Sequence, residues 1–168
     1  MQLAELNRMD SSAFVAALGG IFEHSPWVAE RSAGDRPFAS IGALHAAMVA
    51  ATERALPSEQ LTLLRAHPEL AGKTAIRGEL TADSTREQEG AGLDHCSPSE
   101  LARITDLNRR YVAKFGFPFI VAVKGHDRHG LLKEFARRVE QDRATEFPEA
   151  LRQVARIARF RLEALIDR

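Results

Sequence analysis

Two short stretches place titratable and polar side chains where they could move a proton: RAHPELAGK at residues 65–73 and STREQ at residues 84–88. In the first, Pro68 disfavours the α region for the residue before it, so an incoming helix should end at His67. The His67 imidazole then projects from a helix C-terminus, where main-chain carbonyls lie free and the macrodipole favours a cation. A ring so placed can cap those carbonyls, sit buried in a hydrogen bond, or give a proton to a ligand near neutral pH. In the second stretch, Ser84-Thr85-Arg86-Glu87 fits the S/T-x-x-E capping box, which predicts a helix start at Ser84. N–H groups at such a start also suit an anionic ligand. A glutamate close to a histidine stabilises imidazolium and fixes its orientation. Capping and chemistry are compatible roles for Glu87.

The remaining candidates are weaker. Arg161 sits about 60° from the centre of the last helix's apolar stripe, at about 100° per residue. It can snorkel to solvent or aim its planar fork at a carboxylate. His24, His95, His126 and His129 lie in polar contexts and read as surface residues, while His45 falls on an apolar helix face as a satisfied core histidine. His126 and His129 lack a third ligand, and Asp94-His95-Cys96 is too compact for a metal cluster, so no metal site is expected.

The elements that must carry these residues are helical nearly throughout. Asp10-Ser11-Ser12, Ser25-Pro26-Trp27, Ser40 and Ser97-Pro98-Ser99-Glu100 each signal a helix start. Residues 31–39 and 72–83 read as loops. Phe147-Pro148 is expected to open the last helix, with Leu151, Val154, Ala158, Leu162 and Leu165 as its stripe. FPFIVAV at 117–123, between Gly116 and Gly125, has no helical period and no second strand-like run to pair with. It predicts an extended segment threaded between helices, whose backbone groups need partners other than a sheet. These signals predict an all-α, single-domain bundle of roughly seven to nine helices with a short extended segment near 117–123.

Composition narrows the function classes. Lys+Arg and Asp+Glu both number 23, which lacks the basic surplus of a nucleic-acid partner. Local clusters such as Arg137-Arg138 read as solvated helix faces. The single cysteine, Cys96, rules out an internal disulfide. No apolar run reaches membrane-spanning length, and the N-terminus lacks a secretory pattern. A cytoplasmic protein with no membrane partner is the expectation.

Four stretches taken together resemble one family, the cofactor-independent 2-oxo-4-hydroxy-4-carboxy-5-ureidoimidazoline (OHCU) decarboxylases of purine catabolism. They are HPELAGK from His67, LTADSTREQEGAGLD from Leu80, FGFPFIVAVKG from Phe115, and the C-terminal IARFRLEAL. The resemblance implies an all-α fold, a small-molecule substrate, no cofactor, and formation of (S)-allantoin. By resemblance, His67 is the catalytic acid and Glu87 its charged partner. Pro68, Ser84, Thr85, Arg86, Glu87 and Gln88, with Phe119, Ile120, Val121, Ala122 and Val123, would form the substrate pocket. Arg161 would contact an anionic or carbonyl group of the ligand. Glu69 stands where the family commonly has aspartate, and Asp83 where it has glutamate; both keep the charge. No fused hydroxyisourate hydrolase-like domain accompanies the chain, so a single step is expected.

The alternatives come from another class: a non-catalytic helical module that docks a protein through 117–123, or a binder of purine metabolites. Phe160, opposite the main stripe of the last helix, marks further core or a homodimer contact.

Overall fold

Short-range caps account for most of the helix starts. The computed structural model describes residues 1–72, 75 and 77–167, so Lys73 of the first motif lies outside the described residues. Nine α-helices are described: α1 Leu3–Arg8, α2 Ser11–Leu18, α3 Trp27–Ser32, α4 Ile41–Glu53, α5 Pro57–Arg65, α6 Ala82–Gly90, α7 Pro98–Phe115, α8 Arg128–Val139 and α9 Arg143–Leu165. Among the described residues there is no β-strand, only an isolated bridge between Gln2 and Asp167. The all-α expectation holds. No helix among them is long and apolar enough to cross a membrane.

Asp10 accepts the Ala13 N–H at 2.8 Å and starts α2, and Ser40 accepts that of Ala43 at 3.1 Å and starts α4. Ser97 and Glu100 form the complete capping box of α7, with Pro98 at the first turn. Gly116 ends that helix in the left-handed region at φ 79°, which costs a glycine little.

Two helix starts differ from the sequence reading. Helix α6 begins at Ala82, with Thr81 as its N-cap, so Ser84 lies within the first turn and is not the cap. Helix α9 begins at Arg143, and Pro148 lies inside it. Asp142 accepts the Thr145 N–H at 2.7 Å and starts α9 a full turn before the proline. Pro148 there forgoes the hydrogen bond that its missing N–H would have made to Ala144 O, and its ring crowds that carbonyl.

The chain packs as two compact units, Met1–Ala66 with Val154–Arg168, and His67–Gln153. In the first, Leu6, Phe14, Leu18, Val28, Leu44, Met48, Leu63, Ala158 and Leu162 are fully or almost fully buried. His45 donates to Ala155 O at 2.7 Å, the satisfied histidine that its apolar face predicted. The second unit has an aromatic core. Tyr111 meets Phe115, Phe117, Phe119 and Phe135 with centroids 4.5–5.9 Å apart. Phe119 stacks on Phe135 at 3.9 Å.

Candidate active site

Helix α5 stops at Arg65, with Ala66 as C-cap, two residues before Pro68. His67 follows at only 7% exposure, so it is a buried group and not a solvated cap. Beyond it the chain makes a tight turn. Ala71 takes a left-handed conformation, φ 45°, unusual for a residue with a Cβ. A Cβ on Gly72 would come within 2.7 Å of Glu69 Cβ, so glycine is required for that approach.

Two amide side chains clamp this turn. Gln88 Oε1 accepts the Ala71 N–H at 2.9 Å, and Gln88 Nε2 donates to Glu69 O at 3.3 Å. Asn108 Nδ2 donates to Leu70 O at 2.9 Å, while its buried Oδ1 has no partner among the described residues. Gln88 sits on α6 one residue after Glu87, so the helix that carries Glu87 is bonded directly to the turn that carries His67.

The shifted start of α6 changes what that helix can offer. Thr81 Oγ1 accepts the Ser84 N–H at 3.3 Å, and Thr81 O accepts the Thr85 N–H at 2.9 Å. Neither N–H is left for an anion, so 84–88 contributes side chains and not a helix-end cradle. The N-cap lies at Thr81, so Ser84 and Glu87 are not the cap and N3 positions that the sequence reading gave them. Ser84 and Gln88 are buried, and Thr85 and Glu87 are half-buried. Arg86 points to solvent, its side chain 74% exposed and paired with Asp83. A cavity of about 400 Å³ is lined by Thr85 and Gln88 together with Ala71, Leu93, Cys96 and Leu101. Burial pushes the Cys96 thiol above its usual pKa, which keeps it protonated and weakly nucleophilic.

Residues 119–123 run without helix or strand and are all buried, from 1% exposure at Phe119 to 9% at Val123. Lacking a sheet, their backbone groups find other partners. Val123 O accepts the His126 N–H at 2.9 Å, and two more are met by side chains. Ile120 O accepts from Arg138 NH1 at 2.7 Å, and Ala122 N–H donates to Gln153 Oε1 at 2.9 Å. Arg138 also donates to Glu146 through Nε at 2.7 Å and through NH2, and its guanidinium lies 4.6 Å over the Phe119 ring. Tyr111 donates its hydroxyl to the same Glu146 oxygen at 2.5 Å. Burial, with the neighbouring carboxylate, pushes the Tyr111 pKa well above the phenolic range, so it stays a donor.

Arg138 corrects the reading of Arg137-Arg138 as a solvated face. Arg137 is exposed, but Arg138 is 0% exposed. Its helical phase carries the signal, because it follows Leu131 and Phe135 at i, i+4, i+7 spacing. Glu146 and Gln153 were missed altogether, and nothing in their local sequence marks them.

In the other unit, Arg161 is also buried, at 6% exposure, so it does not snorkel. It aims NH1 at Glu23 Oε2, 2.6 Å away, with both side chains almost fully enclosed. Glu23 is a second residue that the sequence reading passed over.

The all-α chain is similar to proteins of one family. The sequence profile for OHCU decarboxylase matches residues 7–163, and the chain belongs to that family. The 2-oxo-4-hydroxy-4-carboxy-5-ureidoimidazoline decarboxylase of Haloferax volcanii is 44% identical over 162 residues, covering 96% of this chain and 94% of that protein. The uric acid degradation bifunctional protein of Bacillus subtilis is 43% identical over 162 residues, and this chain spans 32% of its length. Among solved structures, an (S)-allantoin synthase matches with a TM-score of 0.82 at 33% identity, over 99% of this chain and 54% of that one.

Proposed function

We propose that this protein is a carboxy-lyase that converts OHCU to (S)-allantoin in urate breakdown. The observation that carries the reading is the pair of Gln88 bonds that fasten the His67 turn to the Glu87 helix. The match at residues 7–163 runs through both compact units, which supports treating residues 1–168 as one OHCU decarboxylase-like domain.

The substrate supplies its own electron sink. As the C4–carboxylate bond breaks and CO2 leaves, its electron pair forms a C4=C5 bond and the C5=N pair moves onto nitrogen, which takes up a proton. Protonation at C5 and loss of the C4 hydroxyl proton then give the C4 carbonyl and the C5 stereocentre. The protein's work is orientation, charge stabilisation and face-selective protonation. In this reading His67 polarises the C4 hydroxyl and carboxylate, and Glu87 holds its ring. Pro68 and the side chains of Ser84 and Thr85 line the pocket, with Gln88 chiefly holding the turn. The peptide groups of 119–123 not already bonded to Arg138, Gln153 or His126 read the ureide. Arg161 is proposed to contact an anionic or carbonyl group of the ligand.

The test is stereochemical, because OHCU also decays unaided. Fresh OHCU with the protein is expected to develop the circular dichroism of (S)-allantoin, and His67→Asn to lose it while keeping the helical spectrum. Racemic product at the unaided rate sinks the reading. The docking-module alternative is disfavoured by burial, since Phe117, Phe119 and Ile120 are at most 3% exposed and offer a partner no surface. A cytoplasmic location and a homodimer through the half-buried Phe160 also belong to this reading. A monomer mass in light scattering would remove the homodimer.

A further inference from the structure

Four buried polar side chains lie behind residues 119–123 and take no part in the chemistry above. Arg138 and Glu146 are each 0% exposed, Tyr111 is 0% and Gln153 is 7%. Burying an ion pair carries a desolvation penalty that a well-packed hydrophobic pair of equal volume avoids, so stability alone is a weak reason for it. The geometry gives a better one. Glu146 takes up Nε and NH2 of Arg138, which holds the planar guanidinium and leaves NH1 to donate to Ile120 O at 2.7 Å. A hydrophobic replacement could fill the space, but it would leave that carbonyl buried and unpaired.

Gln153 repeats the device two residues on. Its Nε2 donates to Glu149 Oε1 at 2.7 Å, which fixes the amide so that Oε1 faces the Ala122 N–H. One carbonyl and one N–H of a segment without a sheet are therefore each pinned by a side chain whose own orientation is set by a carboxylate.

We propose that Arg138 and Gln153 are positioning residues for substrate recognition, locking the backbone of 119–123 so that its peptide groups not bonded within the protein meet the N–H and C=O groups of a ureide. Val123 O is not among them, since it accepts the His126 N–H. This rests on the OHCU reading above. A loosened segment would weaken ground-state and transition-state binding alike, which raises KM more than it lowers kcat.

The experiment compares wild type, Gln153→Met, Arg138→Lys and Tyr111→Phe for OHCU turnover, (S)-allantoin binding by calorimetry, and thermal melting. Gln153→Met keeps the volume and loses the acceptor, so it stands even where Arg138→Lys fails to fold. Tyr111→Phe is the control, because it loses a bond to Glu146 but touches neither pinned peptide group. The expected result is a KM raised about 10-fold or more in Gln153→Met, with kcat within about threefold. Tyr111→Phe should melt lower at an unchanged KM. Wild-type turnover with Gln153→Met at the wild-type KM overturns the positioning role alone. No stereoselective turnover by wild type overturns the functional reading and this role with it.

Discussion

Ala71 gives its N–H to Gln88 at 2.9 Å while holding a left-handed φ of 45°, so a residue in strained backbone is fastened by a side chain 17 positions away. That bond and the one from Gln88 to Glu69 O fix the turn that follows His67. Gln88→Met is expected to destabilise the protein by about 1–3 kcal/mol, the cost of leaving buried amide groups unpaired. Turnover should fall further than that loss implies, because His67 loses its support. Denaturant unfolding and OHCU assays check both. Wild-type turnover in a destabilised Gln88→Met would show that the turn does not need the clamp.

Gly72 sets the other limit on this turn. Its absent Cβ would lie 2.7 Å from Glu69 Cβ, an atom close to the backbone that cannot swing aside. Gly72→Ala is therefore expected to cost about 1–3 kcal/mol, the usual range for overpacking. A melting temperature equal to wild type would mean that the turn relaxes freely.

The cap at Thr81 makes a separate claim about α6. Thr81→Ala should lose about 1 kcal/mol, while Thr81→Ser keeps the acceptor and most of the stability. The sequence reading placed this helix start one turn late, at Ser84, because Ser84-x-x-Glu87 fits a capping box as written. Thr81 also carries a hydroxyl three residues before Ser84, so two registers competed and local pattern could not rank them. Ser40 and Ser97 faced no such rival, and both were legible. Pro148 failed for the same reason as Ser84, since Asp142 supplied an earlier cap. The site divides along similar lines. His67 and the 117–123 break were legible because proline, glycine and apolar runs act locally. Glu23, Glu146 and Gln153 were not, because their partners lie 138, 8 and 31 residues away and only packing pairs them.

Three carboxylates predict the response to acid. Backbone N–H groups donate to the charged forms of Glu100, Asp127 and Asp142, from Ser97, Gly130 and Thr145, and hold each below its ordinary pKa. A depressed carboxylate stabilises the fold above its unfolded pKa of about 4, and that contribution is lost as pH falls through the lower folded value. Calorimetry should find melting temperatures level near neutrality and falling below about pH 4. Asp142→Asn should melt below wild type at about pH 7, with the gap narrowing as the pH falls below the ordinary carboxylate range. A gap that persists in acid would mean that the carboxylate charge is not what caps α9.

The Arg161–Glu23 pair allows structure and ligand contact to be separated. Both side chains are at most 4% exposed, and removing one partner of a buried pair costs about 3–5 kcal/mol because the other charge loses its counter-ion. Glu23→Leu alone should therefore be strongly destabilised. Removing both charges in Glu23→Leu, Arg161→Met should recover at least half of that loss, since a hydrophobic pair of similar volume avoids the desolvation cost. Denaturant unfolding measures the recovery, and the recovered protein then answers the functional question. If Arg161 contacts the ligand, the double variant folds and has little stereoselective turnover. If Arg161 only balances Glu23, turnover returns along with stability, and Arg161 leaves the list of ligand contacts.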